Sequence, residues 1–174
     1  MEFQRHWFTS RDAKWRQSVE SLRRQLSETS DQDELLRLRG RLSEWLRSNR
    51  ETLEEGTKLL GDVIGALRDH GDSSLLVSNL IRYATALQYS ERHDEAQTHF
   101  EEALELAVDL QVDRLIDFAH QHYGKCLVEM NELALANQHF SRALEIREQR
   151  GDSHLISSTE RAIQALASLD KGLL

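Results

Sequence analysis

Eight histidines, one cysteine and several adjacent carboxylates are the residues of this 174-residue protein that could carry acid–base, nucleophilic or metal chemistry. Their spacing does not support it. Ligands or catalytic partners on one helix must lie three or four residues apart to share a face. His120 and His122 are two apart and so point to nearly opposite sides. His99 and His139 stand forty residues apart, and His70, His93 and His154 fall near expected turns. No His-Glu-x-x-His pattern, cysteine pair or glycine-rich phosphate loop occurs. Cys126 lies between Tyr123 and Leu127 and reads as a small buried hydrophobe. Glu54-Glu55 and Glu101-Glu102 are sequence neighbours, as on any solvated helix side. The expectation is a protein with no catalytic residues, no metal and no cofactor.

One other stretch invites a functional reading. Arg150-Gly151-Asp152-Ser153 spells RGDS, which resembles the short adhesion motif read by extracellular integrins. Eighty residues earlier, Gly71-Asp72-Ser73 returns before another apolar pair, without the arginine. A recurring Gly-Asp-Ser is the mark of a turn: glycine ends one helix in a left-handed conformation, and Asp or Ser caps the next.

The elements that position these residues follow from composition and period. With no proline, 39% apolar and 30% charged residues, and Leu, Ala, Glu, Arg and Gln prominent, the sequence suits a helical protein better than a turn-rich sheet. A net charge of −8 weighs against a broad nucleic-acid surface. No apolar run reaches the ~20 residues that cross a bilayer. The start, MEFQRHWF, lacks a secretory pattern, and a lone cysteine allows no internal disulfide. A cytoplasmic protein is expected.

Segments beginning at 31, 71, 111 and 151 align at a period of forty. Leu35-Leu36, Leu75-Leu76, Leu115-Ile116 and Leu155-Ile156 coincide, Tyr83-Ala84 overlies Tyr123-Gly124, and Leu87 overlies Leu127. In the second halves Ala96, Phe100, Ala103 and Leu104 become Ala136, Phe140, Ala143 and Leu144. Leu80, Tyr83, Ala84 and Leu87 lie at i, i+3, i+4 and i+7, one helix face. Each unit is therefore a helix hairpin that buries its stripe only by stacking on neighbours. The predicted fold is all-α: a right-handed superhelical solenoid of about eight helices, with repeats at 31–70, 71–110 and 111–150, a terminal half repeat at 151–174, and an N-terminal helical segment at 1–30.

The spacing of Tyr83-Ala84, Leu87, Ala96, Phe100 and Ala103, repeated by Tyr123-Gly124, Leu127, Ala136, Phe140 and Ala143, resembles the tetratricopeptide repeat. The unit is longer than the usual ~34 residues and ends without proline. It is similar to long-repeat variants in bacterial signalling and regulatory proteins. The resemblance implies a concave groove, lined by the first helix of each hairpin, that holds a protein segment or short peptide. The face opposite the packing stripe carries Ser78, Arg82, Thr85 and Tyr89, with Ile81 alongside. In the next repeat it carries Phe118, His122, Lys125 and Glu129, with Gln121 alongside. In the last helix it carries Ser158, Ala162 and Ala165, with Arg161 alongside. Arg82, Gln121, His122, Lys125 and Arg161 make a locally basic trough, which fits an acidic segment among other partners. Ile81, Thr85 and His122 stand where a Lys/Asn carboxylate clamp would sit, so the resemblance does not extend to chaperone-tail binding.

In the N-terminal segment, Trp15, Val19, Leu22 and Leu26 form a narrow apolar seam, with Phe3, Trp7 and Phe8 ahead of it and Thr9 or Ser10 as caps. Two roles fit: a cap over the first hairpin, or a docking or dimer helix that would make the protein a homodimer. The function expected is non-catalytic: a scaffold or adaptor using the groove. A peptide-responsive regulatory sensor and a self-associating structural module are the alternatives, and neither nucleic acid nor membrane is an expected partner.

Overall fold

The computed structural model describes residues 7–70 and 73–170. Gly71 and Asp72, read as the turn that opens the second repeat, and Phe3 lie outside them. Eight helices follow one another among the described residues: α1 (Ala13–Glu28), α2 (Gln32–Leu46), α3 (Leu53–His70), α4 (Ser73–Tyr89), α5 (His93–Asp109), α6 (Asp113–Glu129), α7 (Leu133–Arg150) and α8 (Ser153–Asp170). Each packs on the next. In addition α2 packs closely on α4, α4 on α6 and α6 on α8, whereas the backbones of α3, α5 and α7 stay apart from one another. The first helices of the hairpins thus form the inner layer of a solenoid, and the second helices form its outer layer.

The turns are built alike. Glu91, Gln111, Asn131 and Gly151, twenty residues apart, all have positive φ. After each, an N–H returns to a carbonyl five residues back: Arg92 to Leu87, Val112 to Ala107, Glu132 to Leu127 and Asp152 to Arg147. This is the Schellman ending, and it closes the final turn of α4, α5, α6 and α7. Three of the four left-handed positions lack glycine, and a side chain there costs about 1 kcal/mol. Gln111→Gly is therefore expected to raise the melting temperature by roughly 2–4 °C. Calorimetry showing no rise would contradict that strain.

RGDS proves to be one of these turns. Gly151 sits at φ 70°. Asp152 Oδ1 accepts the Leu155 N–H at 3.2 Å, Ser153 opens α8, and Arg150 Nη1 binds Asp117 Oδ1 at 2.9 Å.

The core follows the repeat stripe. Leu80, Ala84, Leu87, Ala96, Phe100, Ala103, Cys126, Leu127, Ala136 and Phe140 are buried in one cluster. A Cβ at Gly124 would lie 2.7 Å from the Phe140 ring, so glycine lets α7 seat its phenylalanine against α6. The first repeat departs from the forty-residue register. α2 begins at Gln32 and α4 at Ser73, 41 residues on, whereas α6 and α8 begin 40 residues on each time. Buried Ser43 therefore stands at the place of Ala84, and Leu46 at that of Leu87. The connection from α2 to α3 is also longer than the three residues that join the later pairs.

α1 occupies the place that an outer helix holds before each later repeat. Trp15, Val19 and Leu22 bury themselves against Leu38, Leu42 and Leu46, with Leu26 packed alongside. Trp15 Nε1 donates to the Trp45 carbonyl at 2.9 Å. Trp15, Val19 and Leu22 are engaged within the fold, as a cap over the first hairpin would be. The helix starts at Ala13, two residues after the expected Arg11. Thr9 acts ahead of it, donating its N–H to Asp12 Oδ2 at 2.6 Å.

Candidate functional site

The inner faces of α2, α4 and α6 enclose a cavity of about 260 Å³ lined by Glu44, Arg47, Ser78, Ile81, Arg82, Thr85, Arg114, Leu115, Phe118 and His122. A second, of about 300 Å³, lies between Phe8, Arg41, Glu44, Trp45, Arg47, Ser48 and Tyr89. Glu44 and Arg47 line both, so the two make one trough along the inner layer. Arg82, Phe118 and His122 come together in the first cavity as the repeat pattern predicts, and Tyr89 lines the second.

The N-terminal arm closes the far end. The Phe8 N–H donates to the Ser48 carbonyl at 2.9 Å, and the Phe8 ring lies 5.7 Å from Trp45. Trp7 lies 5.5 Å from the Tyr89 ring and beneath the Arg50 guanidinium at 5.0 Å. Trp7 thus packs behind Tyr89, itself a lining residue of the second cavity.

Three expected groove residues fall elsewhere. Lys125 is half-buried and lines neither cavity; burial, then Arg147 and Arg47, lower its pKa. Arg161 is exposed on α8, outside both cavities. Gln121 is a correction: it is buried, with Oε1 accepting from Arg147 Nη1 at 3.0 Å and Thr159 Oγ1 at 2.9 Å. One helical position, about 100° of rotation, separates it from His122.

That glutamine belongs to a polar network that no local pattern announces. Arg147 Nε donates to Asp117 Oδ2 at 2.5 Å, and Arg147 Nη1 reaches Gln121, the Leu155 carbonyl and Thr159. Its guanidinium also lies 5.5 Å from the ring of Phe118, a wall of the first cavity. The forty-residue register holds the signal. Asp117, Gln121, Arg147 and Thr159 stand where the preceding unit has Val77, Ile81, Ala107 and Ala119, and all eight are buried.

The repeat pattern also misses Arg41, Glu44, Arg47 and Arg114. Aligning 31 with 71 puts Leu42 opposite Arg82; the true offset of 41 puts Arg41 there and Glu44 opposite Thr85. The electrostatics of the trough follow from its arginines. Burial, then Lys125, Arg47 and Arg147, hold His122 well below its usual value, hence neutral. Its Nδ1 lies 3.4 Å from Thr85 Oγ1. Arg82 Nε pairs with Glu44 at 3.2 Å.

Other described histidines pack within the repeats. Tyr83 packs edge-on against His99 at 4.9 Å, and Tyr123 against His139 at 4.4 Å, the same contact in successive repeats. His120 and His139 share a hydrogen bond between Nδ1 atoms at 2.9 Å, one donating and one accepting. Burial, then His139 and Arg142, push His120 from 6.5 to about 4. Such a depressed base stabilises the fold above its unfolded value, and this contribution is lost as pH falls toward 4. His120→Leu, the residue of the preceding repeat, is expected to flatten the loss of stability between pH 6.5 and 4 in urea titrations. An unchanged slope would remove His120 as a cause. No group of three or more His, Cys, Asp or Glu among the described residues is arranged to hold a metal, and no described helix is long and apolar enough to cross a membrane.

Residues 75–149 match the tetratricopeptide repeat family. Among curated proteins no sequence match is found. The fold is similar to the apo form of RapI, with a TM-score of 0.77 at 20% identity over 92% of this protein and 59% of that one. It is similar to a Rap protein complexed with competence and sporulation factor (0.77, 16%, over 92% and 47%). It is similar again to Bacillus thuringiensis PlcR in complex with the peptide PapR7 and DNA (0.71, 18%, over 87% and 53%). At these identities the likeness is one of fold, and the sequence spans only about half to three fifths of those proteins.

Proposed function

Because residues 75–149 match the tetratricopeptide repeat family, we propose that this protein is a non-catalytic binding module, a cytoplasmic scaffold or adaptor whose inner trough holds a protein segment or short peptide. One observation carries the reading: the two cavities share Glu44 and Arg47 and run together along the inner layer. Apolar and aromatic walls, Ile81, Leu115, Phe118 and Tyr89, supply anchors, and the arginines set orientation and charge preference. The similar Rap protein is complexed with competence and sporulation factor, and PlcR with the peptide PapR7, which supports a peptide as ligand here. The test is selection of random twelve-residue peptides on the whole protein, followed by hydrogen exchange with the best binder. Protection is expected in α2, α4 and α6. Protection confined to the outer helices would sink the reading.

A second reading, a peptide-responsive sensor, is favoured by the layer contacts. The inner helices pack backbone to backbone across repeats, while the outer helices do not. Long side chains bridge the outer layer instead: Arg23 to Glu55 at 2.8 Å and Arg68 to Glu102 at 2.6 Å. Such exposed pairs contribute little and are screened by salt, so the curvature is soft and a ligand that prefers one curvature shifts it. X-ray scattering that is identical with and without the selected peptide would exclude the sensor.

A further inference from the structure

Three guanidinium groups, Arg47, Arg82 and Arg114, face the cavity between α2, α4 and α6, against one carboxylate, Glu44. This excess sits in a protein of net charge −8. Arg82 makes a single contact with Glu44, through Nε at 3.2 Å. Arg114 is exposed and has no ion-pair partner among the described residues. Arg47 Nε is buried without a hydrogen-bond partner, although its guanidinium stacks over Tyr89 at 5.5 Å. Stacking leaves the in-plane N–H unsatisfied, and a buried donor without an acceptor is costly. The opposite wall is apolar: Ile81, Leu115 and Phe118.

We propose that this cavity is an anchoring site for a carboxylate carried beside a bulky apolar side chain in the bound segment. The arginines hold the carboxylate by charge-assisted bonds, and the large side chain fills the space against Phe118. The volume, about 260 Å³, lies below the ~300–1,000 Å³ of drug-sized pockets. It accepts one anchoring residue pair rather than a whole helix. An acidic side chain and the terminal carboxylate of a peptide offer the same chemistry. A phosphate is disfavoured by the apolar wall and by Glu44 at the rim. The inference rests on the trough being the peptide site and adds what it selects.

The experiment uses the whole protein and arrays of degenerate nine-residue peptides with a fixed central pair: Phe-Glu, Phe-Gln or Gly-Glu. Each set is made with a free and with an amidated C-terminus, and hits are measured by fluorescence anisotropy. Phe-Glu peptides are expected to bind about ten-fold or more tightly than Phe-Gln peptides when the C-terminus is amidated. If instead free C-termini bind about ten-fold more tightly than amidated ones whichever central pair is present, the anchor is the peptide's end; either result supports the carboxylate site. Arg47→Gln/Arg114→Gln should abolish the gain, with helicity checked by circular dichroism. The exposed Arg114→Gln alone should reduce it, which keeps the test valid if Arg47→Gln fails to fold. Phe118→Ala should erase the preference of Phe-Glu over Gly-Glu. Binding that is equal for the Phe-Glu and Phe-Gln sets and unchanged by amidation overturns this inference and leaves the peptide trough standing. No binding by any set overturns both. Equal competition by a ten-nucleotide single-stranded DNA would reassign the arginines to phosphate and also overturn it.

Discussion

Replacing Arg147 with alanine is expected to cost about 3–5 kcal/mol of unfolding free energy, a large part of the stability of an ordinary domain. Arg147 is 1% exposed and Asp117 wholly buried, so removing the arginine strands a carboxylate away from water. Arg150 remains at 2.9 Å from Asp117 but is itself part-exposed, and it cannot serve Gln121 and Thr159. Asp117→Val alone should cost a similar amount by stranding Arg147. The informative variant changes all four positions to the residues of the preceding unit: Asp117→Val, Gln121→Ile, Arg147→Ala and Thr159→Ala. Apolar replacement of a complete buried ion-pair network is often neutral or stabilising, and the preceding unit already buries Val77, Ile81, Ala107 and Ala119 together. Urea denaturation should place the fourfold variant nearer the parent than either single variant. Additive losses in the fourfold variant would show that the network does not act as a unit. Because Arg147 lies against Phe118, the fourfold variant also separates stability from binding: it should fold and yet bind trough peptides differently.

Phe140→Ala is the second large effect, about 3–5 kcal/mol. The ring is fully buried and fits against Gly124 so closely that even a methyl group there would meet ring carbons at 2.7 and 2.8 Å. Gly124→Ala should accordingly cost about 1–3 kcal/mol by overpacking. A smaller partner should return part of that, so Gly124→Ala/Phe140→Leu should cost less than the sum of its single changes. Phe140 belongs to the third hairpin, and stability in a stacked array is a sum of repeat and interface contributions. Phe140→Ala should therefore melt α6 to α8 ahead of α1 to α4 in hydrogen exchange. Uniform loss of protection along the whole sequence would show that the repeats unfold as one unit.

Features that local sequence encodes are legible without the structure. Hairpins, packing stripe and turns are written in i, i+3, i+4 spacing and in residues that end helices, and these act within a few positions of themselves. The period of forty locates Tyr83, Phe100, Tyr123 and Phe140, and it identifies RGDS as a turn. It brings Arg82, Phe118 and His122 to one wall. The trough's other wall requires the tertiary structure. An extra residue before α4 displaces the first repeat by one position, and one position rotates a helix face by about 100°. Leu42 is thereby exchanged for Arg41, and Arg47 goes unmarked by the pattern. Gln121 is misplaced by the same small angle: its neighbour His122 faces the trough, while it faces Arg147, 26 residues away. The N-terminal seam alone leaves both capping and docking open. In the tertiary structure that seam packs on α2, at the place an outer helix takes in the later repeats, as a cap would. Sequence determined which residues must be buried together within a repeat, since that is a matter of local periodicity. Only the tertiary structure decided which charges are buried and which face the trough, since that depends on the rotation and seating of one helix against the next.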